Sequence, residues 1–141
     1  MWPHTFADRL VSWNHLREQS KNIPLDQSLA MINAWWFRAP WIPYHLHWDD
    51  QNNWPDPWQL LDDNLFCPLA RGLGILYTIA ITSCPDVEDA VLAEIDSDNL
   101  VLINKKKYIL NWDKDEIVNI NLGRQNPKRS VSLKQIQQQI K

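Results

Sequence analysis

Residues 34–58 read AWWFRAPWIPYHLHWDDQNNWPDPW and hold six of the nine tryptophans in a chain of 141 residues. Pro40, Pro43, Pro55 and Pro57 interrupt the run, so it cannot form one continuous amphipathic helix. An indole buries a large apolar area while its N–H still needs a polar partner. No Lys or Arg occurs between Arg38 and Arg71 to dilute the aromatic character. The pattern predicts a rigid, irregular surface, packed partly inward and partly against another molecule. Its candidate contact residues are Trp35, Trp36, Trp41, Trp48, Trp54 and Trp58. A contact surface is implied, not a chemistry.

The flanking sequence is more regular. Thr5 followed by Asp8 resembles a capping box, and Phe6, Leu10, Trp13 and the stem of Arg17 share one face, predicting a helix over 6–19. Leu25, Leu29, Ile32 and Trp36 repeat at helical spacing and predict a helix over 25–37. Asp56 as N-cap and Pro57 at the first helical position start a third, 57–63. Pro68 is tolerated only in a first turn, so a fourth is expected over 66–82, with Leu69, Leu73, Leu76 and Ile79 or Ala80 as its stripe. Gly72 and Gly74 weaken that helix, which implies a close approach by another backbone.

After Asp86 the character changes. AVLAEI, NLVLIN, KYILNW and EIVNINL are short runs rich in branched residues, predicting strands over 90–122. Asn104-Lys105 suits a tight hairpin and Asp113-Lys114-Asp115 a second, and Leu122-Gly123 closes the last strand. A helical half followed by an antiparallel meander predicts one α+β domain over 1–123, with a basic tail over 124–141. Within the tail, 132–140 suits a short helix with Leu133, Ile136 and Ile140 on one face.

Composition narrows the function classes. The net charge of −3 argues against a dedicated nucleic-acid binder. No apolar run approaches the ~20 residues that span a bilayer. MWPHTFADRL lacks the basic and hydrophobic regions of a signal peptide, and Cys67 and Cys84 make no disulfide framework, which favours a reducing cytoplasm. Charge is uneven: Asp49 to Asp98 contains eleven acids and one base, whereas Arg124 to Lys141 contains five bases and no acid. Such runs suit a solvated acidic middle with a basic tail, or a tail that docks on an acidic surface, of its own domain or of a neighbouring copy. Leu133, Ile136 and Ile140 would anchor it against a partner chain.

Three constellations could carry chemistry. Cys67 stands near a helix start with strands following, a layout that resembles transglutaminase-like and papain-like cysteine hydrolases. Those families place a histidine on a later strand, and here His4, His15, His45 and His47 all precede Cys67, so an active enzyme of this kind lacks its general base. His45, His47 and Asp49 alternate as on a strand and could share a metal. The string is similar to the H-x-H-x-D-H motif of metallo-β-lactamase-like hydrolases, with Asp50 in place of the last histidine. Exposed Trp with Asp also suits sugar recognition, given a concave platform. Lys105-Lys106-Lys107 lies in a predicted turn, where lysines are solvated. No catalytic residue, cofactor or metal is assigned from the sequence.

W-W-F-x-x-P-W-I-P-Y-x-L-H-W-D-D, W-P-D-P-W-Q-L-L, A-R-G-L-G-I-L-Y-T-I and K-Y-I-L-N-W together resemble small proteins of tailed bacteriophages. The likeness is strongest to contractile-tailed, T-even-like phages, including those of cyanobacteria, and covers about 1–122. It implies a non-enzymatic virion part of the neck, tail or baseplate, assembled in the host cytoplasm. Its partners would be other virion proteins, in several symmetric copies, without membrane or nucleic acid. It brings no functional residues with it.

Overall fold

The computed structural model describes residues 2–43, 45–83, 85–112, 127–138 and 140. Its helices are α1 (Phe6–Ser20), α2 (Leu25–Trp36), α3 (Pro57–Asp63), α4 (Pro68–Thr82) and α5 (Leu133–Gln137), and a 3-10 segment covers Trp48–Asn53. The strands are β1 (Ala90–Ile95), β2 (Asp98–Ile103), β3 (Tyr108–Leu110) and β4 (Arg129–Ser132). They form one antiparallel sheet in the order β3-β2-β1-β4. The domain is α+β, as the change of periodicity at Asp86 implies. Among the described residues no helix is long and apolar enough to cross a membrane.

The caps explain the helix limits. The Thr5 side chain accepts from Asp8 N, and the Asp56 side chain accepts from Gln59 N ahead of Pro57. Helix α4 begins at Pro68 and not at Phe66, because Cys67 takes the N-cap and Phe66 pairs in a parallel bridge with Trp41. Asn64 and Ser83 end α3 and α4 in the left-handed region, at φ 57° and 55°.

Helix α4 is apolar almost all round because it lies at the centre of the domain. It packs on β1 and β2 on one side and on α1, α2, α3 and α5 on the others. Its two glycines make room for neighbours, though these are mainly side chains and not the backbone the sequence suggested. A Cβ at Gly74 would stand 2.5 Å from the Trp36 ring, and one at Gly72 would stand 2.7 Å from Leu92 Cδ1. Alternation sorts the sheet: Ala90, Leu92, Val101, Ile103 and Leu110 join the helical core, while Ala93, Ile95, Leu100, Leu102 and Ile109 form a second cluster.

Turn chemistry fixes the strand register. Asp96 and Ser97, at φ 50° and 70°, make the two-residue loop between Ile95 and its partner Asp98. The next loop spans Asn104 to Lys107, with Asn104, Lys105 and Lys106 all at positive φ. The Asn104 side chain accepts from Glu88 N at 2.7 Å and donates to Asp86 O at 3.0 Å, which fastens this hairpin to the loop before β1. The predicted strand EIVNINL, the hairpin at Asp113-Lys114-Asp115 and the ending at Leu122-Gly123 lie outside the described residues.

The basic tail requires a correction. Its described part is not an appendage to a domain ending at 123. Strand β4 pairs antiparallel with β1, from Val91↔Ser132 to Glu94↔Arg129, and α5 packs on α4 with Ile136 fully buried. Leu133 and Ile140, expected as anchors for a partner, pack half-buried on the chain's own core. A capping box between Ser132 and Gln135 turns the chain from strand to helix. Among the described residues of the tail, Arg129 pairs with Asp49 and Glu94 of the same chain.

Candidate functional site

Most of the tryptophan segment faces inward. Trp35, Trp36, Trp48 and Trp54 are 6%, 0%, 7% and 8% exposed, so as partner contacts they are replaced by an internal role. Each indole N–H finds an acceptor: Ser12 Oγ for Trp35, Thr78 Oγ1 for Trp36, Asn99 Oδ1 for Trp48 and the His47 carbonyl for Trp54. Trp36 also packs edge-on against Phe66 and Trp35. Helix α2 turns Trp35 and Trp36 onto α1 and α4, and the Pro-interrupted stretch after it brings Trp48 onto β2. Trp41 and Trp58 remain outside, 59% and 38% exposed.

Trp41 stands at the lip of an open hollow of about 500 Å³. The segment before the 3-10 turn forms one wall with Trp41, Pro43 and Leu46, and Cys67, Pro68 and Leu69 at the start of α4 continue it. The bridge to Phe66, with Ile42 N donating to Phe66 O at 3.1 Å, holds the Trp41 backbone in place. Part of the lining is polar. Cross-strand register sets Asn99, Glu94 and Arg129 side by side on β2, β1 and β4. Asp49 closes the row: its Oδ1 lies 2.7 Å from Arg129 Nη1, while Arg129 Nε lies 3.6 Å from Glu94 Oε1.

Cys67 and His47 line this same hollow. The Cys67 sulfur accepts from Ala70 N at 3.4 Å and from Leu46 N at 3.5 Å, and the residue is 2% exposed. Those contacts give it a structural duty, capping α4 and tying down the 41–47 segment. One turn on, Arg71 stacks 3.8 Å above the Phe37 ring and donates to Asn111 Oδ1 at 2.6 Å. Burial lowers the Arg71 pKa from its ordinary value and Cys67 opposes that shift. The guanidinium stays charged. Asn111, left-handed at φ 62°, also donates to Pro68 O and Asn99 O and so braces the rear of the polar row.

The metal reading does not survive the geometry. Among the described residues no three His, Cys, Asp or Glu side chains gather where they could hold an ion. The alternation of His45, His47 and Asp49 needed a strand, and the chain enters the 3-10 turn at Trp48 instead. The sugar reading required a concavity beside an exposed Trp and a carboxylate, and the hollow provides one. Asn99 and Glu94 were not foreseen. Glu94 had a signal: it follows Ala90 and Leu92 on the inward face of β1, where a charge is out of place unless a site needs it. Comparisons with family models, with curated proteins and with solved structures find no match to this chain.

Proposed function

We propose that the chain is a non-enzymatic structural component of a tailed-phage particle, in the neck, tail or baseplate. It would bind neighbouring virion proteins, in several symmetric copies, through the outward part of its Trp/Pro-rich segment. The observation that carries the contact role is the exposure of Trp41 and Trp58, at 59% and 38%, in a chain that buries four other tryptophans of the same segment. Exposed, backbone-fixed aromatics are favoured anchors of protein interfaces. The particle setting rests on the sequence resemblance.

Proteomics of purified particles from a phage encoding the chain tests this reading. The chain should be present at a fixed ratio to other virion proteins, and Trp41 and Trp58 should be less open to oxidative footprinting in the particle than in the free chain. Absence from intact particles refutes it. The second reading, a cysteine hydrolase or its inactive descendant, is favoured by one observation, that Cys67 and His47 share a hollow. Labelling of Cys67 by a thiol-directed hydrolase probe at neutral pH would establish that reading instead.

A further inference from the structure

The hollow beside Trp41 is a feature that assembly contacts leave without a purpose. Its lining is of two kinds: an apolar part bearing the exposed indole of Trp41, and a polar part made of Asn99, Glu94, Arg129 and Asp49. Glu94 Oε1 is buried and accepts no hydrogen bond among the described residues, although Arg129 Nε stands 3.6 Å away. That oxygen is closed to a ligand, so Glu94 lines the hollow with the part of its side chain, 21% exposed, that remains open.

Charge narrows the class of ligand. A cation entering the hollow meets Arg129, which already lies against both carboxylates. An anion meets Asp49 and Glu94. A neutral molecule with several hydroxyls finds acceptors and donors together and leaves the ion pairs intact. To lie on the indole it also needs an apolar face. A pyranose ring has both a C–H face and a hydroxyl edge. The volume of about 500 Å³ falls among those of small-ligand sites.

We propose that this hollow binds a neutral pyranoside, stacked on Trp41 with its hydroxyls on Glu94, Asp49 and Arg129. This goes beyond the virion reading and is a property of the free chain, since a partner that covers Trp41 in the particle would close the hollow.

The test titrates the isolated full chain with methyl α-glucopyranoside, methyl β-galactopyranoside and N-acetylglucosamine up to about 50 mM, where weak single-ring sites saturate. Binding is followed by saturation-transfer NMR and tryptophan fluorescence. At least one sugar should bind saturably, with transfer strongest to its ring C–H protons. Trp41→Ala should weaken binding about tenfold or more, the loss of a desolvated aromatic contact. Glu94→Gln and Asp49→Asn should each weaken it several-fold, whereas Trp58→Ala, outside the hollow, should leave it unchanged. Circular dichroism shows that each variant is folded, and Asp49, with a side chain 88% exposed, can be altered without disturbing the core. No saturable binding of any sugar, or binding that survives Trp41→Ala, overturns the proposal. Tighter binding of N-acetylarginine amide or glucuronate overturns the choice of a neutral ligand. A failed titration leaves the virion reading intact, since particle proteomics judges that separately.

Discussion

The Thr78 hydroxyl holds two tryptophans at once, and removing it should be costly. Thr78, Trp13 and Trp36 are each 0% exposed. Trp13 Nε1 and Trp36 Nε1 both donate to Thr78 Oγ1 at 2.9 Å, and the hydroxyl donates to Gly74 O at 2.8 Å. Both lone pairs and the proton are therefore used. Thr78→Val preserves shape but strands two buried indole N–H groups, at ~1–3 kcal/mol each. A methyl in place of the hydroxyl returns about 1 kcal/mol of burial, for a net loss of ~1–5 kcal/mol. Thr78→Ser keeps the hydroxyl and loses one methyl, about 1 kcal/mol. Urea unfolding followed by tryptophan fluorescence and far-UV circular dichroism should show the Val midpoint lower by ~0.5–2.5 M, at a slope of about 2 kcal/mol/M. In a Trp13→Phe/Trp36→Phe background the same Thr78→Val change should cost almost nothing. A Val variant within about 0.5 kcal/mol of the parent, or a Ser variant less stable than Val, would refute the shared-acceptor account.

Gly74→Ala drives a Cβ to 2.5 Å from the Trp36 ring, so it should lose ~1–3 kcal/mol in spite of better helix propensity. Gly72→Ala should lose less, since the atom it meets at 2.7 Å is the end of the Leu92 side chain, and equal losses on denaturation would contradict this. Asn111→Ala removes the bonds to Pro68, Asn99 and Arg71 at a left-handed position, and its melting temperature should fall by more than that of Asn111→Gly, which keeps the backbone. Burial first, and then Asp56, raise the Tyr77 pKa, and its O–H donates to Pro55 O at 2.6 Å. The folded state thus holds that proton more tightly than the unfolded one, so its contribution is complete below the ordinary tyrosine value of about 10 and declines above it. Stability should fall as pH rises past about 10, and a Tyr77→Phe variant showing the same alkaline decline would remove Tyr77 as its cause.

Local signals carried the helices, because caps and periodicity lie within a few residues of what they specify. Thr5, Asp56-Pro57 and Pro68 mark starts that the structure shares or shifts by two residues. The turn at Asn104 was legible for the same reason, though its loop runs to Lys107 and is longer than the tight hairpin expected at Asn104-Lys105. Partners distant in sequence were not legible. Nothing near Trp36 reveals that Thr78 accepts its proton, and nothing near Arg129 reveals β1 as its neighbour. The tryptophan run was read as outward because prolines exclude a single helix, yet α2 turns Trp35 and Trp36 inward and the irregular chain after it buries Trp48 and Trp54 as well. The hollow needed Trp41 from one segment and Glu94, Asn99 and Arg129 from three strands. Only the inward charge at Glu94 hinted at it.

The position of β4 beside β1 also sets the order in which this chain becomes safe from itself. Until residues 129–132 return across a long sequence separation, β1 has one paired edge and one open edge along the apolar run AVLAEI. An open apolar edge is a template for other chains. Such long-range pairings close late, since loop entropy must be overcome before they form. Nascent or truncated forms ending before 129 would thus be prone to strand exchange and aggregation, and the ion pairs from Arg129 to Asp49 and Glu94 would act as a latch that fixes the returning strand in register.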